Sequence, residues 1–210
     1  SDVYKRQHEG GGTFQKIYGD SDERLKKHLH VLYDKYLKMP ELPQGWFGHD
    51  DQVFHKALME NIPYGGTLVE IGVWKGLSLC SAAHMIKEKN IKVIAIDTFE
   101  GSPWEENGAI VEPGLDLKQE FINNLHKFGI ADHVQIYAMS SLDAAKLVED
   151  NSIDLIFIDG DHRYESVVND VNTWLLKVKS SGIISGHDIY WNDSVAPAVF
   201  SIFGQDKVYT

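Results

Sequence analysis

Apolar positions divide the chain into two regimes. Over residues 22–38, Leu25, Leu29, Leu32 and Tyr36 recur at helical spacing and predict an amphipathic helix. Met39-Pro40 and Leu42-Pro43 end it, because proline lacks an amide hydrogen and disfavours helical geometry in the residue before it. A second helix is expected from Asp50 or Asp51, side chains suited to capping, to Asn61, burying Val53, Phe54, Ala57 and Leu58. From Thr67 onward, short β-rich runs appear at Thr67–Ile71, Val93–Ile96, Val134–Tyr137, Leu155–Ile158, Ile183–Ser185 and Lys207–Tyr209. Helical stretches separate them near 77–89, 116–129, 141–149, 164–178 and 194–203. The fourth carries a face of Val167, Val171, Trp174, Leu175 and Val178. Such alternation predicts an α/β fold: a doubly wound, mostly parallel sheet with helices on both faces. Residues 63–210 make up this domain, and residues 13–62 a helical N-terminal extension. Ser1–Gly12, ending in three glycines, reads as a tag, linker or artefact, and the last strand reads as truncated.

Composition narrows the partners. Of 210 residues, 43% are hydrophobic and 24% charged, an ordinary globular balance with room for one full core. No apolar run approaches the roughly eighteen residues of a membrane span. A net charge of −11 repels phosphate backbones, so nucleic acid is not an expected partner. Cys80, the one cysteine, permits no internal disulfide, fits a cytoplasmic protein and reads as core. The amphipathic N-terminal helices offer a surface for a homodimer.

In a doubly wound sheet, ligands bind beyond the carboxyl ends of the strands, and the informative residues fall there. The first strand runs into Glu70-Ile71-Gly72-Val73-Trp74-Lys75-Gly76-Leu77-Ser78. Gly72 and Gly76 let the backbone turn tightly and approach a ligand, and a helix opening near Leu77 adds a positive dipole end. A dinucleotide fingerprint needs G-x-G-x-x-G around a pyrophosphate; here Trp74 stands at the second glycine. Glu70 would repel a pyrophosphate but suits a cationic ligand, which favours S-adenosylmethionine over NAD. Asp97, closing the second strand, is placed to accept ribose hydroxyls.

The string L-V-E-I-G-V-W-K-G-L-S-L, followed by V-I-A-I-D-T-F-E-G, resembles the first two motifs of class I, Rossmann-like S-adenosylmethionine-dependent methyltransferases. It is most similar to the small-molecule O-methyltransferase branch that includes macrocin and catechol-like enzymes, over roughly residues 45–205. The resemblance implies that Glu70, Gly72, Trp74, Gly76 and Ser78 surround the methionine part and Asp97 the ribose. Thr98 and Phe99 would flank the adenosine, Ser140 and Ser141 would approach the adenine, and Asp159 would sit beside the cofactor.

The fourth strand ends in Asp159-Gly160-Asp161-His162, and the fifth in Gly186-His187-Asp188. Adjacent parallel strands would gather these five ionisable groups around one pocket. A hydroxyl is a poor nucleophile until its proton leaves, and a divalent cation with a nearby base assists that loss. The resemblance puts Asp159, His187 and Asp188 on metal positions and Asp161 on the general base; His162, beside them in the sequence, is a further candidate catalytic group. His187 departs from the family's carboxylate, and imidazole is a poor partner for Mg²⁺. Mg²⁺, Mn²⁺, Fe²⁺, Zn²⁺ and no metal, with a histidine as plain base, all stay open. The expected reaction is methylation of a hydroxyl on a sugar-, polyketide- or phenol-like small molecule. The alternatives are an inactive nucleotide-binding module, or an iron-dependent hydroxylase or NAD-dependent enzyme on the same fold. Glu100–Leu117 reads as a lid or a surface loop, Gly45–Asp50 as an aromatic staple or a contact for acceptor or cofactor, and Trp191 as an acceptor wall or surface packing.

Overall fold

The computed structural model describes residues 41–102, 111–190 and 193–208. The predicted helix over 22–38, residues 103–110 of the 100–117 loop, Trp191 and Tyr209 lie outside them. Residues 42–210 form one compact unit, so the helix before the first strand packs with the sheet.

Five strands are all parallel: β1 (Thr67–Ile71), β2 (Lys92–Asp97), β3 (Val134–Ala138), β4 (Ile153–Ile158) and β5 (Val178–Gly186), in spatial order β3-β2-β1-β4-β5. Seven α-helices connect them among the described residues: α1 (His49–Met59), α2 (Leu77–Ser81), α3 (Ala83–Glu88), α4 (Leu117–Phe128), α5 (Ser141–Ala144), α6 (Tyr164–Leu175) and α7 (Val195–Phe203). Side chains alternate across the strands, and both faces are buried. Leu68, Val93, Ala95 and Leu155 meet Leu79, Ile86, Phe121 and Leu125 on one side. Val69, Ile71, Ile96 and Ile156 meet Trp174 and Ala144 on the other. A strand enclosed on both faces needs apolar residues at successive positions, which is why these runs are continuous. Cys80 is buried in the first cluster, as expected. No helix among the described residues is long and apolar enough to cross a membrane.

Several predicted elements differ in detail. The helix expected over 77–89 breaks at Ala82 into α2 and α3. α6 ends at Leu175, which is exposed, and Val178 begins β5 instead of completing the helix face. Between Val178 and Ile183, β5 advances five residues while β4 advances two, from Ile153 to Leu155. Gly182 sits in that bulge, where a Cβ would lie 2.7 Å from the Val178 side chain and 2.8 Å from the Ile153 carbonyl. Gln205–Lys207 form a 3-10 turn, so Lys207 does not open a strand, and the predicted strand's end at Tyr209 lies outside the described residues.

α1 shows the clearest reversal. Its N-cap is Gly48, whose amide donates to Asp51 Oδ2 at 2.8 Å, so Asp51 closes the first turn from inside the helix. His55 and Met59 face the core, whereas Val53 and Phe54 are each 54% exposed. His55 lies between the rings of Phe47 and Phe157, with centroids at 5.7 and 4.8 Å, and its nitrogens have no hydrogen-bond partner among the described residues. Burial, with a smaller contribution from Lys56, lowers its pKa from 6.5 to about 4. The unfolded chain therefore takes up this proton more readily than the folded one. Its contribution is complete above pH 6.5 and is lost as pH falls toward 4. Denaturant titrations should show about 2 kcal/mol of the stability difference between pH 7 and pH 5 disappearing in His55→Phe; an unchanged difference would refute this assignment.

Candidate active site

The site begins where the sheet's hydrogen bonding ends. One residue beyond the strands the ladder continues: Gly72 N–H donates to Ile96 O at 2.8 Å, Asp159 N–H to Ile71 O at 2.8 Å, and His187 N–H to Ile158 O at 3.0 Å. These bonds fix the first residue of each carboxyl-end loop relative to its neighbours. Gly72 has φ +82°, and a Cβ there would lie 1.8 Å from the Asp159 carbonyl oxygen, so no larger residue fits without moving β4. The β1 and β4 loops thus open into one cleft of about 500 Å³, a size ordinary for a small-molecule site.

On the β1–β2 side, Asp97 organises the wall. Its Oδ2 accepts the Trp74 amide at 2.9 Å, and its Oδ1 accepts the Phe99 amide at 2.7 Å. Burial raises its pKa, opposed by these amide bonds. The carboxylate holds Trp74 and Phe99 at positive φ, +46° and +59°, a conformation costly for bulky side chains. The indole of Trp74 lines the cleft and meets Trp46 at 5.8 Å. The turn carries Phe99 away from the cleft and onto Phe121, 5.6 Å between centroids, so Phe99 is a packing residue and does not flank the cavity.

Glu70 also lies elsewhere than expected. It is buried beneath the loop instead of lining the cleft; Ser78 Oγ donates to its Oε1, and Oε2 has no hydrogen-bond partner among the described residues. Burial pushes it up to about 8, with Asp159 and Asp97 adding and the Ser78 bond opposing. Only Ser78 of this pair reaches the cavity. Gly76, at φ +84°, sits against Phe121 below the surface, where a Cβ would lie 2.9 Å from the ring. α2 beyond it is five residues long, too short to supply the expected dipole end. Gly72, Trp74, Asp97, Thr98, Ser140, Ser141 and Asp159 do line the cleft.

The β3 end supplies a polar pair not anticipated from the sequence. Ser140 caps α5, and Ser141 Oγ donates to Asp170 Oδ1 on α6. Burial raises the Asp170 carboxyl to about 6, opposed by Ser141 and reinforced by Asp161. A buried acid inside an apolar helical pattern was the available signal.

The β4 and β5 ends gather the ionisable cluster. His162 Nε2 stands 3.3 Å from Asp188 Oδ2 and 3.8 Å from Asp159 Oδ1. His187 Nδ1 stands 3.3 and 3.5 Å from the same two oxygens. Asp159, His162 and Asp188 each offer a ligand atom, all within 4.8 Å of one another, an arrangement that could hold a cation. Burial alone would lower the His187 pKa, but the Asp159 and Asp188 carboxylates raise it to about 11. Burial would raise Asp188; His162 and His187 hold it well below the usual carboxylate range. Asp161 lines the cleft but stands outside this cluster. Its oxygens accept from Arg163 Nε at 3.0 and 2.8 Å and from Ser166 Oγ at 2.8 Å. Burial would raise it, but these bonds and the Arg163 charge take it to about 2. Asp161, the expected general base, thus has both oxygens engaged by Arg163 and Ser166 and a lowered proton affinity.

Gly45, Trp46 and Phe47 complete the mouth of the cleft. Phe47 is buried against His55, Phe157 and His187, so the segment staples α1 and also walls the site.

Comparison with known proteins agrees with this geometry. The chain is 32% identical over 182 residues to an uncharacterized protein of Acanthamoeba polyphaga mimivirus, covering 80% of this chain and 74% of that one. A cofactor-bound protein from MTB shares the fold at TM-score 0.56 and 19% identity, covering 92% of this chain and 83% of the other. A SAM-dependent O-methyltransferase from Thermotoga maritima superposes at TM-score 0.54 and 16% identity, covering 81% and 55% respectively. Residues 69–189, more than half of the chain and the span that holds both halves of the cleft, match the family described as "Methyltransferase domain". The chain belongs to that methyltransferase family.

Proposed function

We propose that the protein transfers a methyl group from S-adenosylmethionine to a hydroxyl of a small molecule, with help from a divalent cation. The observation that carries this reading is that one cleft joins the glycine turn after β1 to the acid–histidine cluster after β4 and β5. The residues fit the donor. Gly72 lets a ligand approach the main chain, and Asp97, Thr98, Ser140 and Ser141 present polar atoms along the β2 and β3 ends. The carboxylates of Asp97 and Asp159, which line this space, would disfavour a pyrophosphate. S-adenosylmethionine supplies a cationic, electrophilic methyl that such acidic walls favour.

Asp97 retains lone pairs on both oxygens and would take the ribose hydroxyls. Asp159 and Asp188 would hold the cation, which lowers the pKa of an acceptor hydroxyl and fixes its angle. Of the two groups expected to accept the acceptor's proton, His162 is the better placed, since Arg163 and Ser166 occupy Asp161. A cation held there would keep the acceptor oxygen near the donor, converting an encounter into an oriented displacement. The net charge of −11 favours a small molecule over a nucleic acid as acceptor.

Calorimetry tests the donor. S-adenosylhomocysteine should bind with a Kd on the order of micromolar, ordinary for such a pocket, and NAD should not bind. Failure of S-adenosylhomocysteine to bind folded protein would contradict the proposal. Gly72→Ala should abolish that binding, because its Cβ displaces the Asp159 carbonyl; wild-type affinity in this variant would disprove the close approach. In Asp159→Asn, added Mn²⁺ should no longer promote methyl transfer to phenolic or sugar acceptors, while S-adenosylhomocysteine binding persists. A variant that responds to Mn²⁺ as wild type does would remove the metal from the mechanism.

A further inference from the structure

Two imidazoles face the same pair of carboxylate oxygens, and the structure distinguishes them by what lies behind each ring. His187 Nδ1 is buried and makes no directional hydrogen bond among the described residues, yet it stands 3.5 Å from Asp159 Oδ1 and 3.3 Å from Asp188 Oδ2. An atom so placed converges with those oxygens on a common point, as a ligand does. The ring's other nitrogen, Nε2, lies 3.4 Å from Asp51 Oδ2 on α1, the oxygen that also accepts the Gly48 amide at 2.8 Å. A carboxylate behind one imidazole nitrogen fixes the tautomer and leaves the opposite nitrogen's lone pair free for a metal. His162 stands farther from Asp159, at 3.8 Å.

We infer that Asp51 is a positioning residue that holds His187 Nε2 and so presents His187 Nδ1 as the third ligand beside Asp159 and Asp188. This rests on the metal-assisted reading above, in which His187 already stands on a metal position, and goes beyond it by assigning the residue that holds that ring. It also fixes the class of ion. Two carboxylates with one imidazole suit Mn²⁺ or Fe²⁺ better than Mg²⁺, which prefers an all-oxygen set. Asp51 further ties the site to the Gly45–Phe47 wall, because the same side chain caps the helix that follows that wall.

The test uses the full chain with Mn²⁺ alone, by calorimetry and by pulsed electron paramagnetic resonance, which reads nitrogen-14 coupling to the ion. Wild type should bind Mn²⁺ more tightly than Mg²⁺ and show coupling to one imidazole. That coupling should vanish in His187→Asn and persist in His162→Asn. Asp51→Ala should weaken Mn²⁺ binding about 10- to 100-fold, with Asp51→Asn, which keeps an acceptor oxygen, recovering part of it. Asp51→Ala should add nothing further in the His187→Asn background, because it acts through that ring. S-adenosylhomocysteine binding without metal reports that each variant is folded. Coupling lost in His162→Asn but kept in His187→Asn would overturn the inference while leaving a metal site in place. Undiminished Mn²⁺ affinity in Asp51→Ala would overturn the role of Asp51. Absence of Mn²⁺ binding in wild type would remove the metal-assisted reading and the inference together.

Discussion

The parallel pairing of β1 with β4 places the Gly72 α-carbon against the Asp159 carbonyl, and this contact sets the distance between the two halves of the site. The ladder bond from Asp159 N–H to Ile71 O makes the spacing a property of the backbone, independent of side-chain choice. β1 is the point at which the order of strands reverses, with β2 on one side and β4 on the other, so crossover helices diverge there and leave the carboxyl ends uncovered. The acids and histidines at the strand ends are placed from this point outward. Asp97 comes from β2, the Asp159–His162 segment from β4, and His187 with Asp188 from β5. The buried clusters on the two sheet faces hold the strands in register, and so hold the site.

Electrostatics then differentiates groups of like chemistry. Glu70, Asp97, Asp159, Asp161, Asp170 and Asp188 are all carboxylic acids within one small region, and like charges cannot be collected in low dielectric without compensation. Glu70 and Asp170 are driven toward the neutral form by burial. Asp161 is neutralised by Arg163, and Asp188 by two imidazoles. Asp159 and Asp188 stand 3.3–3.8 Å from those rings, where a cation can take over the same compensation. The arrangement concentrates negative potential at one end of the cavity and leaves the loop after β1 to main-chain contacts.

The sheet was legible in the sequence because a strand buried on both faces must be continuously apolar, and Val69–Ile71 and Leu155–Ile158 have no other reading of that length between turn residues. Gly72, Asp97, Asp159, His162, His187 and Asp188 were legible for a related reason: they lie at or just beyond the carboxyl ends of strands, where the fold puts ligands. What the sequence concealed depends on three-dimensional neighbours. His55 is polar by type, so periodicity turned α1 the wrong way; only the aromatic box of Phe47 and Phe157 makes its burial intelligible. Phe99 leaves the cleft because Asp97 accepts its amide and forces a positive φ, a local bond that overrides the motif's expectation. Val178 lies in β5 because a bulge closing on Gly182 admits extra residues before the ladder resumes. The Arg163 bond that disables Asp161 joins residues two apart and was readable in principle, whereas the Asp51–His187 pair joins residues far apart in the chain and was not.

The central claim is that the glycine turn and the acid–histidine cluster serve one reaction in one cleft. A crystal grown with S-adenosylhomocysteine and Mn²⁺, examined by anomalous diffraction, tests it most directly. The account predicts the nucleoside beside Asp97, the ligand's sulfur beyond Gly72, and a Mn²⁺ peak bonded to Asp159 and Asp188 in the same cavity. A ligand bound elsewhere, or Mn²⁺ at a site that does not share the cavity with that sulfur, would contradict it.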